Sequence, residues 1–222
     1  ILFNETYLSS LDRLHIVEIG SQDLNSSIKK FINKNHKYTG VDISPGENVD
    51  VVLNDPYKFP IEDNSIDVVI AISTFEHIDF FWLTYLEILR ILKKSGIFFL
   101  NVPSNGHFHR HVNDNWRFYP DSILALEKWG LKNGYDNCFL EHFTIEHSGR
   151  DIWNDYIAVI IKDKNLIKNY PGRIIHKIHN FRNGRINNNE KILNFNKISQ
   201  DQDNWGWKTF YKLRKFFNKI NN

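Results

Sequence analysis

Apolar residues along this chain come in short blocks, and between them lie segments whose apolar positions follow helical spacing, as far as residue 162. The blocks at 15–19, 38–42, 50–53, 66–72, 96–102, 135–142 and 155–161 predict strands. Val68-Val69-Ile70-Ala71-Ile72 is apolar throughout, as a strand covered on both faces of a parallel sheet must be. Helices are predicted over 25–34, 80–94 and 120–130. In the second of these, Phe81, Tyr85, Ile88, Leu89 and Leu92 share one face, and Ser95-Gly96 supplies a stop. Strand–helix units repeated in this way predict an α/β fold. It is a doubly wound, mostly parallel, seven-stranded sheet with helices on both faces.

From Lys162 the pattern changes. Asn169-Tyr170-Pro171-Gly172 is a turn signal, and residues 173–204 are polar, basic and rich in Asn. The end turns amphipathic: Phe210, Leu213, Phe217 and Ile220 share a helical face, with Lys208, Lys212, Arg214, Lys215 and Lys219 elsewhere. The expected organisation is a ligand-binding domain over 1–162 and a basic extension over 163–222. Lying near Trp205 and Trp207, this last helix suits an anionic membrane surface. The alternative is packing on the domain or on a second subunit, as in a homo-oligomer.

Bulk properties narrow the picture. A length of 222 residues allows one domain with a large core. The net charge of +2 gives no field that favours nucleic acid, so no nucleic-acid partner is expected. The single cysteine, Cys138, rules out an internal disulfide and fits a reducing compartment, hence a cytoplasmic location, at most peripheral to the inner membrane face. The chain begins at Ile1 and contains no Met, which reads as a fragment or processed form.

The chemistry starts at two strand ends. His15-Ile16-Val17-Glu18-Ile19-Gly20 and Tyr38-Thr39-Gly40-Val41-Asp42 each place a carboxylate at or near a strand terminus, with a turn and a helical segment between them. A carboxylate about 20 residues after a glycine turn is how a nucleotide-binding α/β domain holds a ribose. Glycine at the turn lets the backbone approach a ligand.

These residues, together with Ser21, Asn54-Asp55, Phe75-Glu76-His77 and Leu92-Lys93-Lys94-Ser95-Gly96, resemble a class I S-adenosylmethionine-dependent methyltransferase of Rossmann-like fold over roughly 14–160. The nearest branch has an Ile-Gly-Ser-x-Asp-x-Asn first loop, matched by Ile19, Gly20, Ser21, Asp23 and Asn25, and a later His-…-Asp-x-Trp-Arg-Phe segment, matched by His109, Asp114, Trp116, Arg117 and Phe118. The resemblance implies S-adenosylmethionine as cofactor. It also implies a binding set of Glu18 toward the methionyl amino group, Gly20 and Ser21 in the loop, Asp42 and Ile43 at the ribose and Asp55 near the adenine. Pro56 and Tyr57 would help to shape that wall, and Ser73 and Phe75 would lie beside the cleft. Gln22 and Leu24 depart from the glycine-rich family loop.

The segment Pro103–His111 places three histidines in alternation. Imidazole is a common metal ligand, but alternating side chains on extended chain point to opposite faces, and no metal set is assigned. The loop is expected to carry polar substrate contacts instead. In the methyltransferase reading His109 is the base, Asp114 its orienting partner and His77 a further catalytic group, while His107, Trp116 and Arg117 contact substrate. A hydroxyl acceptor near neutral pH needs such a base. By the association of this branch with surface-glycan assembly, the acceptor is a sugar hydroxyl, with a small molecule as the wider class. Two other readings use the same residues: an NAD-dependent oxidoreductase, which lacks the G-x-G-x-x-G turn, and a non-catalytic binding module of this fold.

Overall fold

The computed structural model describes residues 1–22, 28–110, 113–146, 153–187, 189–198, 209–210, 213–214 and 216–217. Its strands are β1 His15–Ile19, β2 Lys37–Asp42, β3 Val51–Val52, β4 Ile66–Ile72, β5 Leu92–Pro103, β6 Cys138–Ile145, β7 Asp155–Ile161 and β8 Phe181–Ile186, with helices α1 Phe81–Ile91 and α2 Ser122–Lys132. The strands form one sheet in the order β3-β2-β1-β4-β5-β7-β6-β8. β3 through β5 pair in parallel, and β7, β6 and β8 are joined antiparallel. The described sheet thus has eight strands where seven were expected.

Strand alternation builds two cores. Val17, Ile19, Val69, Ala71, Phe98, Leu100, Tyr156, Ala158 and Ile160 face α1 and α2, meeting Tyr85, Ile88, Leu89, Ile123 and Leu126. Ile16, Val68, Ile70, Ile97, Val159 and Ile161 face the other way, and short helical turns at Asn4–Leu8, Ile28–Phe31, Lys164–Asn169 and Ile174–His176 cover them. The apolar run in β4 is explained by this two-sided burial. Of the helix expected over 25–34, Ile28–Phe31 forms a single tight turn, and positions 25–27 lie outside the described residues.

Two further differences have local causes. α1 ends at Ile91, not at Ser95-Gly96. Leu92, fully buried, is already extended and pairs with Ile66 in the sheet. Gly96 serves that strand irregularity, since a Cβ there would stand 2.9 Å from Leu92 Cδ2 and 3.0 Å from the Ile66 carbonyl. Past residue 162 the chain stays on the sheet. Tyr170, Ile174, Ile175 and Phe181 are buried in its second core, so the sheet holds residues from both sides of position 163.

β1, β2 and β3 step outward in one direction, and β4 returns to the opposite side of β1. Such a reversal opens a crevice at the carboxyl ends of β1 and β4. No helix among the described residues is long and apolar enough to cross a membrane. In the final segment Phe210, Leu213 and Phe217 are helical and more than half exposed, while Trp205, Trp207, Ile220 and four of the named lysines lie outside the described residues.

Candidate active site

A cleft of about 290 Å³ lies at that reversal, lined among others by Gly20, Gln22, Asp42, Ile43, Leu53, Pro56, Tyr57, Ser73 and His77. Its floor is a braced pair of loops. Gly20 has φ +74, and its N–H donates to the Val41 carbonyl at 2.9 Å. The Thr74 hydroxyl lies 3.1 Å from the Ile19 carbonyl and 2.9 Å from that of Ile72, tying the loop after β1 to the loop after β4. A Cβ on Gly20 would stand 2.2 Å from Thr74 Oγ1. Glycine is required here twice, by its dihedral and by this contact. Ser73, at φ +48, is left-handed without being glycine, and its N–H donates to the Asn101 carbonyl at 2.9 Å.

Asp42 ends β2 in the cleft. Its carboxylate accepts the Ser44 N–H at 3.0 Å and the Gln22 N–H at 3.2 Å. Two ionised oxygens offer about four lone-pair sites, so acceptor capacity remains for a ligand. Asp42 therefore caps its turn and also presents a carboxylate.

Other expected residues sit elsewhere. Glu18 is buried and does not line the cleft. Strand alternation turns it away from Val17 and Ile19, toward the face where Tyr38 donates its hydroxyl to Glu18 Oε2. Phe75 is fully buried in the core, its ring packed on Phe81 and Phe98. Asp55 is exposed and caps its own turn by accepting the Tyr57 N–H at 2.8 Å. Its neighbours Pro56 and Tyr57 do line the cleft. Ser21 is buried beside Gly40. Asp23, Asn25 and His111 lie outside the described residues.

The lip of the cleft is built where the loop after β5 docks on the loop after β4. The Glu76 carbonyl accepts the Asn115 N–H at 2.8 Å, Asp79 accepts Asn115 Nδ2 at 2.8 Å, and the Ile78 carbonyl accepts Trp116 Nε1 at 3.0 Å. Trp116 lies edge-on to Phe81 and Trp82, which makes it a brace as much as a contact surface. Arg117 holds Asp114 in a fork, Nη1 to Oδ1 at 2.5 Å and Nη2 to Oδ2 at 2.8 Å, and also binds the His107 carbonyl at 2.7 Å. That guanidinium, opposed by partial burial and helped by the His109 N–H, holds the Asp114 carboxyl down at about 2. The His107 side chain is exposed and outside the lining.

His109 and His77 meet edge to face, their rings 5.1 Å apart, and Trp153 lies 4.9 Å beyond His109. His77 Nδ1 is bonded to the Asn113 carbonyl. His109 Nδ1 lies 3.4 Å from Asp114 Oδ2. Beneath them Glu76 is buried, and burial pushes its carboxyl up to about 8. Three contributors escaped the sequence reading. Thr74 and Asn113 are loop residues of no distinctive type. Trp153 had one visible signal, an aromatic residue just before the strand that pairs with β5.

Fold and cleft together define an α/β ligand-binding domain with its site at the strand reversal. Residues 17–100, from β1 into β5, match the family described as a methyltransferase domain. The fold is also that of solved structures. The cyclase SpnF matches at 14% identity over 73% of this chain and 78% of its own, with TM-score 0.57. A SAM-dependent methyltransferase from Methanosarcina mazei matches at 13% over 72% of this chain and 96% of its own, TM-score 0.52. YcgJ from Bacillus subtilis matches at 13% over 69% of this chain and 93% of its own, TM-score 0.50. No curated protein matches significantly. Since a cyclase shares the architecture, the fold by itself leaves the reaction open.

Proposed function

We propose that this protein is an S-adenosylmethionine-dependent methyltransferase that acts on a sugar hydroxyl in surface-glycan assembly. The observation that carries the reading is the single cleft in which the Gly20 turn, the Asp42 carboxylate and the His77 imidazole converge. The lining suits an adenosyl group. Ile43, Leu53, Pro56 and Tyr57 offer apolar surface to a flat base, Asp42 has acceptor capacity for ribose hydroxyls, and the Gly20 turn lines the cleft beside them. S-adenosylmethionine, when bound, supplies an electrophilic methyl group on a sulfonium whose sulfur leaves neutral.

The chain's own task is then alignment and proton handling. The loops braced by Thr74 hold the floor, and the Arg117–Asp114 fork holds the lip. His77, in the wall, and His109, with Asp114 at its Nδ1, are the groups placed to act on an acceptor hydroxyl's proton. Phe108, next to His109, is more than half exposed and Trp116 about one-third, a surface suited to stacking on a sugar face, whereas Tyr119 lines a separate pocket with Pro120 and Arg185. The cytoplasmic location and the membrane-facing role of 205–220 belong to the same reading, for they would bring the cleft to a lipid-linked acceptor.

Calorimetry with S-adenosylhomocysteine and NAD tests the reading. Saturable binding of the first alone is expected, weakened about tenfold or more in Asp42→Ala, which gives up charged-group hydrogen bonds. Binding of NAD alone would favour the oxidoreductase, and heat from neither would favour a non-catalytic module.

A further inference from the structure

Glu76 is 1% exposed, and its Oε2 has no hydrogen-bond partner among the described residues. Buried carboxyl groups are almost always paired, bound to a cation or held neutral. Its Oε1 lies 3.8 Å from His77 Nε2, too long for a hydrogen bond. Glu76, His77 and His109 each offer one ligand atom, and these atoms lie within 4.8 Å of one another. To bind one first-row metal at roughly 2.0–2.2 Å the three side chains would have to draw closer together.

The surroundings of the two imidazoles fit the same purpose. A metal-bound histidine usually gives its other N–H to a carbonyl or carboxylate, which fixes its tautomer. His77 Nδ1 has the Asn113 carbonyl. His109 Nδ1 has Asp114 Oδ2 at 3.4 Å and the His107 carbonyl at 3.4 Å, against one donor, Arg117 Nη2, at 3.5 Å. The Asn113 carbonyl places the His77 proton on Nδ1, and two acceptors against one donor favour the same tautomer at His109, which leaves the Nε2 lone pairs for a metal. The carboxylate and the two imidazoles come from two docked loops, so the site exists only in the folded chain.

We infer that Glu76, His77 and His109 bind a divalent first-row transition ion at the lip of the cleft. Two imidazoles and one carboxylate with positions left open are a donor set for zinc and for iron(II). His77 lines the cleft, so the ion would sit in its wall. For the use of the ion, the inference rests on the methyl-transfer reading: a hydroxyl coordinated to the ion would lose its proton to solvent water more readily, with His77 and His109 then serving as ligands in place of bases. The site itself rests on geometry alone.

The test is a titration of the full chain, stripped with chelator, with Co²⁺ followed by its visible absorption, and with Zn²⁺ as competitor. One equivalent of Co²⁺ is expected, displaced by Zn²⁺. Glu76→Gln, nearly isosteric, is the deciding variant, and it should bind about tenfold more weakly or worse. His77→Ala and His109→Ala should do the same, while His179→Ala, at an exposed position away from the lip, binds as the parent. Urea unfolding of each variant verifies that it is folded. No saturable Co²⁺ binding, or parental affinity in a folded Glu76→Gln, overturns the site. Calorimetry of the same samples with S-adenosylhomocysteine separates the two ideas. Cofactor product bound without metal sinks the metal site only. Metal bound by the trio without cofactor product upholds the site and sinks the methyl-transfer reading.

Discussion

Gly20→Ala is the sharpest perturbation of the cleft floor. An alanine at φ +74 would occupy a left-handed conformation that costs an L-residue about 1–2 kcal/mol. Its Cβ would also stand 2.2 Å from Thr74 Oγ1 and 2.7 Å from Thr74 Cγ2, so Thr74 must move. Moving it breaks the hydroxyl's bond to the Ile19 and Ile72 carbonyls, which share one proton and are together worth about 1 kcal/mol. The expected loss is about 2–3 kcal/mol of unfolding free energy. Thr74→Ala removes both clashing atoms and leaves only Thr74 Cβ, at 3.0 Å. The double variant should therefore lose about 1 kcal/mol less than the sum of the singles. Urea unfolding of the four proteins measures this directly. A Gly20→Ala loss within about 0.5 kcal/mol of zero, or strict additivity in the cycle, would refute the account of the loop brace.

His109→Ala should reduce methyl transfer at neutral pH by about a hundredfold or more while leaving S-adenosylhomocysteine affinity unchanged; unchanged turnover would remove His109 from the chemistry. His142 is fully buried against Phe139 and Tyr156, and burial, reinforced by Arg185, lowers its pKa from 6.5 to about 3. The fold therefore keeps it neutral while the unfolded chain protonates, so its share of stability is complete above pH 6.5 and drains away as pH falls toward 3. Within that window the slope from this group approaches about 1.4 kcal/mol per pH unit. His142→Phe should flatten the acid limb of stability against pH in urea unfolding, and an identical limb would rule out the buried imidazole as its source. Phe210→Asp with Phe217→Asp should lower co-sedimentation with anionic phosphatidylserine vesicles. Equal, negligible sedimentation of both proteins would end the membrane role of the last segment.

The strand pattern was legible because burial on both faces writes long apolar runs, as in Val68–Ile72. β8 was not. Phe181-Arg182-Asn183-Gly184-Arg185-Ile186 has little apolar alternation, because it is an edge strand held by backbone pairing to β6. Leu92 suited the face of α1 as well as it suited β5, and only its pairing with Ile66 decided between them. In the site, Gly20 and Asp42 stood out because a turn glycine and a strand-end carboxylate are local signals. Phe75 could not be sorted from core, since an apolar ring beside a cleft and one beneath it look alike in sequence. Glu18 was placed one strand face away from its expected role by alternation alone. The meeting of Glu76 and His77 with His109 was invisible, because it arises from two loops docking across separate strands.

The antiparallel β7 lies between β5 and β6, although β6 precedes it in the chain. During synthesis, β6 leaves the ribosome before the strand that links it to the rest of the sheet. Until Asp155–Ile161 emerges, β5 presents an open edge along Ile97, Phe98, Leu100 and Val102, side chains that are fully or almost fully enclosed once assembly is complete. A nascent chain stalled or cut in that interval carries an unprotected apolar strand and should be the most aggregation-prone and protease-sensitive species this gene product forms.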